Sequence, residues 1–185
     1  MDISGKKILI LATHGFEQSE LEVPRDRLKA AGATVDVVAP EKGEIKGWDK
    51  KDWGRPVKVD RTLESVSADD YDAIVLPGGQ INPDLLRVNA DALALITAFN
   101  KQKKVIAAVC HAPWLLIETG IVKGRKATSY HSIKTDMINA GAKWEDSSVV
   151  TDQGIITSRN PGDLEDFAKK IIEEVAEGRH QKRAA

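Results

Sequence analysis

The chain has 185 residues, of which 42% are hydrophobic and 30% charged, with 27 basic side chains against 28 acidic ones. That is enough chain for one globular domain with its own core. A net charge of −1 supplies no field to hold a nucleic acid or an anionic membrane, and no apolar run approaches the roughly 20 residues needed to cross a bilayer.

The opening Met1-Asp2-Ile3-Ser4-Gly5-Lys6-Lys7 lacks the apolar centre of a secretory signal. One cysteine cannot close an internal disulfide, so the reducing cytoplasm is the expected compartment. Lys7-Ile8-Leu9-Ile10-Leu11-Ala12 is almost wholly apolar, as a strand buried on both faces should be. Residues 18–31 then read as a helix closed at Gly32, with Pro24 either in its first turn or kinking it. Thr34-Val35-Asp36-Val37-Val38-Ala39 is the second strand. Residues 41–59 break the pattern, because Gly43, Gly47, Gly54 and Pro56 interrupt them. They are expected to form a hairpin-like excursion whose Trp48 and Trp53 either cap the domain or meet a second subunit.

Asp72-Ala73-Ile74-Val75-Leu76 is the next strand, residues 90–100 an amphipathic helix, and Lys104-Val105-Ile106-Ala107-Ala108-Val109 another strand. Residues 133–140 read as a short helix. Ser148-Val149-Val150-Thr151 and Ile155-Ile156-Thr157-Ser158 form a hairpin around Asp152-Gln153-Gly154. The last helix opens at Asn160-Pro161 and runs to about residue 176. Strands alternating with helices predict an α/β three-layer sandwich around a mainly parallel sheet. The domain is expected over residues 1–178, followed by a basic tail over 179–185.

The chemistry centres on Ala108-Val109-Cys110-His111-Ala112, which has the small-x-nucleophile-x-small spacing of a sharp strand-to-helix elbow. Pro113 follows where the first turn of a helix tolerates a missing N–H, and Gly120 ends that helix. A thiol at a helix start is favoured as thiolate; the plainer alternative is a buried structural cysteine. His111 is a candidate base if the turn brings its ring to the sulfur. Pro77-Gly78-Gly79 is a tight turn or a site where a backbone N–H joins that of His111 in an oxyanion hole. Glu17 and Glu20 both follow the first strand. Glu17 is the carboxyl expected to reach the sulfur and share its proton, with a raised pKa. These segments lie at the carboxyl ends of parallel strands, where open α/β sheets bind ligands. Neither a metal nor a cofactor is expected, since no His or Cys pair has the spacing of a zinc site.

Together, Phe16-Glu17, Leu76-Pro77-Gly78-Gly79, Asn82-Pro83-Asp84-Leu85-Leu86-Arg87, Val109-Cys110-His111-Ala112-Pro113, Ser129-Tyr130, the run Met137-Ile138-Asn139-Ala140-Gly141-Ala142, and Thr157-Ser158-Arg159-Asn160-Pro161 closely resemble the ThiJ/PfpI superfamily, including its bacterial YhbO-like general stress proteins. The resemblance implies a flavodoxin-like fold akin to class I glutamine amidotransferase domains. It also implies a Cys110–His111–acid triad completed by Asp84 of a partner subunit, hence a homodimer or higher oligomer. It makes Glu17 the acid on the cysteine, Gly79 and His111 the oxyanion amides, and Tyr130 a pocket residue. Asp84 stands where the family often has glutamate, Ala112 where Cys-His-Gly-Pro is usual, and His14 adds a polar group to the cleft wall.

The expected function is a stress-response cysteine hydrolase, a deglycase or glyoxalase acting on methylglyoxal or glyoxal adducts of proteins or nucleotides. An intracellular ATP-independent cysteine peptidase and a non-enzymatic redox sensor or chaperone are the alternatives. Glycated protein, nucleotide or peptide would be the substrate, with no stable nucleic-acid complex and no membrane partner.

Overall fold

A computed structural model describes residues 1–178; the tail expected over 179–185 lies outside the described residues. The chain order is β1 (Lys7–Leu11), α1 (Gln18–Ala30), β2 (Thr34–Ala39), β3 (Glu44–Asp49), β4 (Asp52–Lys58), β5 (Arg61–Thr62), β6 (Ala73–Leu76), α2 (Ile81–Leu86) and α3 (Ala90–Lys101). It continues through β7 (Val105–Val109), α4 (Pro113–Glu118), β8 (Lys126–Ala127), α5 (Lys134–Asn139), β9 (Lys143–Trp144), β10 (Val149–Asp152), β11 (Ile155–Ser158) and α6 (Leu164–Glu177).

Seven strands form one sheet in the order β10-β11-β7-β6-β1-β2-β5, parallel except where β10 pairs antiparallel with β11. Alternation along each strand sends side chains to two cores. Ile8 and Ile10 of β1 join Leu21 and Leu28 of α1 and Phe167 and Ile171 of α6 on one face. Leu9 and Leu11 join Ile96 and Phe99 of α3 and Leu115 and Leu116 of α4 on the other. Burial on both faces explains why these strands are apolar without interruption. The result is the expected flavodoxin-like three-layer fold.

From β1 the chain moves outward to β2 and β5, then returns to β6 on the other side of β1 before continuing outward to β7 and β11. That reversal opens a crevice beyond the carboxyl ends of β1, β6 and β7. The excursion at 41–59 is a two-stranded antiparallel hairpin, β3–β4, with a register shift between Lys46 and Trp48. Its Trp48 and Trp53 meet edge to face, 5.6 Å between ring centres. Pro24 sits well inside α1 rather than in its first turn. The chain from Asn160 opens with a 3-10 turn, Pro161–Asp163, capped by Asn160 Oδ1 accepting from the Gly162 N–H at 2.9 Å; α6 begins only after it. The strands β5, β8 and β9, two residues each, and the six-residue α2 are too short to show a period in sequence.

Candidate active site

Cys110 follows β7 with φ of +64°, the left-handed region that costs a non-glycine residue of order 1 kcal/mol or more. Three backbone bonds hold it there. Its N–H donates to Ser158 O at 3.0 Å, its C=O accepts from Tyr130 N–H at 2.8 Å, and the Ala112 N–H closes the turn on Val109 O at 3.0 Å. Ala108 and Ala112 are fully buried, so the elbow has room only for small side chains on either side. Pro113 begins α4, as its spacing predicts.

The turn swings the neighbouring imidazole back onto the sulfur. His111 Nδ1 lies 3.1 Å from Cys110 Sγ, and Nε2 lies 3.1 Å from Ser132 Oγ. The ring stacks on Tyr130 at 4.8 Å between centres and meets the edge of Trp114 at 5.2 Å. Burial, then the nearby His131, hold the His111 pKa below its ordinary value, so the ring is neutral and able to accept a proton.

The carboxyl against the sulfur is Glu20, and this corrects the expectation for Glu17. Glu20 is fully buried on the inner face of α1, in line with Leu21, Pro24 and Leu28. Its Oε2 accepts from the Gly78 N–H at 2.8 Å, the carboxyl stands beside Cys110, and Oε1 has no hydrogen-bond partner. Burial pushes the Glu20 carboxyl up to about 8 despite the Gly78 bond, so it is protonated at neutral pH. Burial, then the Glu20 charge, push the Cys110 thiol up as well, while hydrogen bonds from the Gly79 and His111 backbone favour its anion. With Glu20 protonated the repulsion is gone, and its unpaired Oε1 is left to donate toward the sulfur. Glu17 precedes α1 as its N-terminal flanking residue and is half-buried in the cleft wall. Its pKa is raised by burial and by Asp49.

Gly78 and Gly79 are fixed by a buried residue that the sequence did not single out. Asn82 donates to Pro77 O at 2.8 Å and Gly78 O at 3.2 Å, and accepts from the Thr13 N–H at 2.8 Å, tying the end of β6 to the end of β1. Gly79 has φ of +77°, and a Cβ there would lie 2.5 Å from Gly15 O.

Around Cys110 is a cleft of about 530 Å³ lined by Glu17, Trp48, Lys50, Gly79, Ile81 and Tyr130, among others. Trp48 and Lys50 come from the β3–β4 hairpin, which docks on the loop after β1 through Trp48 N–H to Phe16 O at 2.7 Å. His14 does not line the cleft. It is exposed, and its Nδ1 accepts from the Lys46 N–H at 3.1 Å, pinning the same hairpin. Asp84 is exposed in the first turn of α2, and within one chain Ser132 rather than Asp84 reaches His111 Nε2. Among the described residues no group of three or more His, Cys, Asp or Glu side chains gathers as metal ligands do.

A cysteine–histidine pair on a strained turn, at the switch point of a mainly parallel sheet, places the molecule among flavodoxin-like α/β proteins with a thiol at the crevice. The chain belongs to the DJ-1/PfpI family, whose model matches residues 6–174. It is 43% identical over 166 residues to Deglycase PfpI of Pyrococcus furiosus, covering 90% of this chain and 97% of that protein. It is 41% identical over 170 residues to General stress protein 18 of Bacillus subtilis, covering 91% and 96%. Among solved structures, Drosophila melanogaster DJ-1beta superposes with a TM-score of 0.84 at 33% identity, over 95% of this chain and 91% of that one.

Proposed function

We propose that this chain is a stress-response cysteine hydrolase that clears adducts formed by methylglyoxal or glyoxal on amines of proteins or nucleotides. The observation that carries the reading is the Cys110 sulfur on a left-handed elbow, 3.1 Å from a neutral His111 Nδ1, facing an open cleft. The name of the Pyrococcus furiosus relative supports the substrate class.

In this mechanism the thiol proton passes to His111 Nδ1 as sulfur bonds to the carbonyl-derived carbon of an aminocarbinol adduct. The carbon–nitrogen bond breaks, and the imidazolium returns the proton to the departing amine. The carbon fragment stays on sulfur as a hemithioacetal, which collapses to thiol and free carbonyl, or is cleaved by water after isomerising to a thioester. The Gly79 and His111 N–H groups serve the developing oxyanion, and protonated Glu20 donates to the sulfur whenever it is anionic.

Self-association belongs to the same reading. Ile81, Leu85 and Val88 lie on and just beyond α2 and are 40%, 50% and 82% exposed. Ile81 also lines the cleft, so a second copy seated there would wall the site and bring Asp84 of the partner subunit toward it.

The test is turnover of methylglyoxal-treated N-acetyl-lysine and N-acetyl-arginine, with casein hydrolysis measured on the same preparation. Adduct release should fall at least about 100-fold in Cys110→Ser and His111→Ala, the scale of a lost nucleophile or base. Casein cleavage without adduct release would turn the reading to a peptidase. A wild type inert to both would point to a redox or chaperone role.

A further inference from the structure

The third member of a cysteine–histidine relay fixes which imidazole nitrogen carries the proton and holds the ring in line. The family resemblance assigns that place to Asp84 of a partner subunit. The single chain already fills it. For Nδ1 to accept the thiol proton, the ring hydrogen must be on Nε2, and Nε2 faces Ser132 Oγ at 3.1 Å. Ser132 sits on the 3-10 turn His131–Ile133, next to Tyr130, whose N–H bonds Cys110 O at 2.8 Å. The turn that carries the hydroxyl is therefore tied to the elbow that carries the sulfur.

The rest of the imidazole is held by groups that are themselves held. Trp114 Nε1 donates to Asp136 at 2.9 Å, and its ring lies under the Arg87 guanidinium at 5.0 Å. Arg87 in turn bonds Glu118 Oε1 through Nε and one terminal nitrogen at 2.9 and 2.6 Å. With Tyr130 stacked on one side and the Trp114 edge on another, the ring has one free polar atom, and Ser132 takes it.

We propose that Ser132 is the residue that orients His111, completing a Cys110–His111–Ser132 relay within one subunit, so that orienting the base does not require Asp84 of the partner subunit. Ser132 is not among the residues lining the cleft and bonds His111 instead, so it is a positioning residue. A neutral orienter suffices for a thiol, as the Cys-His-Asn arrangement of papain-like proteases demonstrates. The proposal rests on the reading of Cys110 as nucleophile but not on any particular substrate.

Ser132→Thr and Ser132→Val are nearly isosteric and differ by the hydroxyl, so they separate the hydrogen bond from packing. Each would be compared with Asp84→Asn and wild type by the rate of iodoacetamide alkylation of Cys110 against pH, alongside kcat and KM for adduct release. Ser132→Val should lose the His111-dependent limb of the alkylation profile, and its kcat should fall about 10- to 100-fold with little change in KM, the scale of a base displaced by about 1 Å. Ser132→Thr should match wild type in both, and Asp84→Asn should keep the His111-dependent limb of the alkylation profile. A Ser132→Val profile that overlays wild type, or an Asp84→Asn profile that collapses while Ser132→Val does not, overturns the proposal. Alkylation needs no dicarbonyl. A chain that releases no adduct yet separates Val from Thr in alkylation would sink the proposed activity and leave the relay standing.

Discussion

At the residue scale the chemistry turns on Glu20, a carboxyl fully enclosed beside a thiol. Its pKa is raised from an ordinary 4.5 to about 8, chiefly by burial. The folded chain therefore binds this proton more tightly than the unfolded chain does. Its contribution to stability is full below about pH 4.5, drains away as pH rises, and is gone above about 8. Glu20→Gln keeps a donor at the sulfur and removes the titration. Denaturant unfolding between pH 5 and 9 should show wild type losing stability relative to the variant as pH rises, by at most about 5 kcal/mol. A constant difference across that range would mean that Glu20 does not titrate there. Glu17→Gln should show a smaller slope, since Glu17 is only half-buried. The sequence offers both glutamates at the start of one helix, and the distinguishing signal is helical phase. Glu20, Pro24 and Leu28 share the buried stripe, while Glu17 precedes the helix. Ser132, by contrast, left no trace in the sequence: it is a lone serine 21 positions from its partner, outside any motif or periodic pattern.

At the scale of elements, the site is a meeting of three strand ends with almost no spare volume. Gly78 shows this, although its own backbone needs no left-handed conformation. A Cβ there would stand 2.5 Å from Glu20 Oε2 and 2.7 Å from both Cys110 Cβ and Val109 O. The last is backbone of β7 and cannot swing aside. Gly78→Ala should cost about 1–3 kcal/mol in denaturant unfolding, as overpacking does. It should also change the Cys110 alkylation rate, because the added methyl displaces the Glu20 carboxyl from the sulfur. Unchanged alkylation in that variant would show that the carboxyl contact is not tuning the thiol. This convergence was legible in outline, since the apolar strands, the glycine pair and the elbow each have local signatures. The pieces that join them were not. Asn82 lies in a six-residue helix containing Pro83, and the hairpin that brings Trp48 and Lys50 to the cleft announces itself only by its glycines.

For the whole molecule, the alternation of strands and helices predicts the sandwich because a sheet buried on both faces must be covered twice. What the same sequence cannot display is which surface stays uncovered, since that depends on the packing of every neighbour. The uncovered stripe at α2 is Ile81, Leu85 and Val88, beside the cleft mouth. Charging its outer end with Leu85→Asp and Val88→Asp should convert an oligomer to monomers in light scattering, because two unpaired carboxylates cannot be buried in an apolar contact. Neither residue lines the cleft around Cys110. If the imidazole is oriented by Ser132 alone, the monomer should keep the wild-type pH profile of Cys110 alkylation. Adduct release by that monomer should fall only as far as the cleft wall supplied by the second copy matters for binding, which appears as a raised KM with kcat preserved. A monomer whose alkylation profile shifts toward that of His111→Ala would return the orienting role to Asp84 of the partner subunit. The same double variant, still oligomeric, would place the contact between copies on another face.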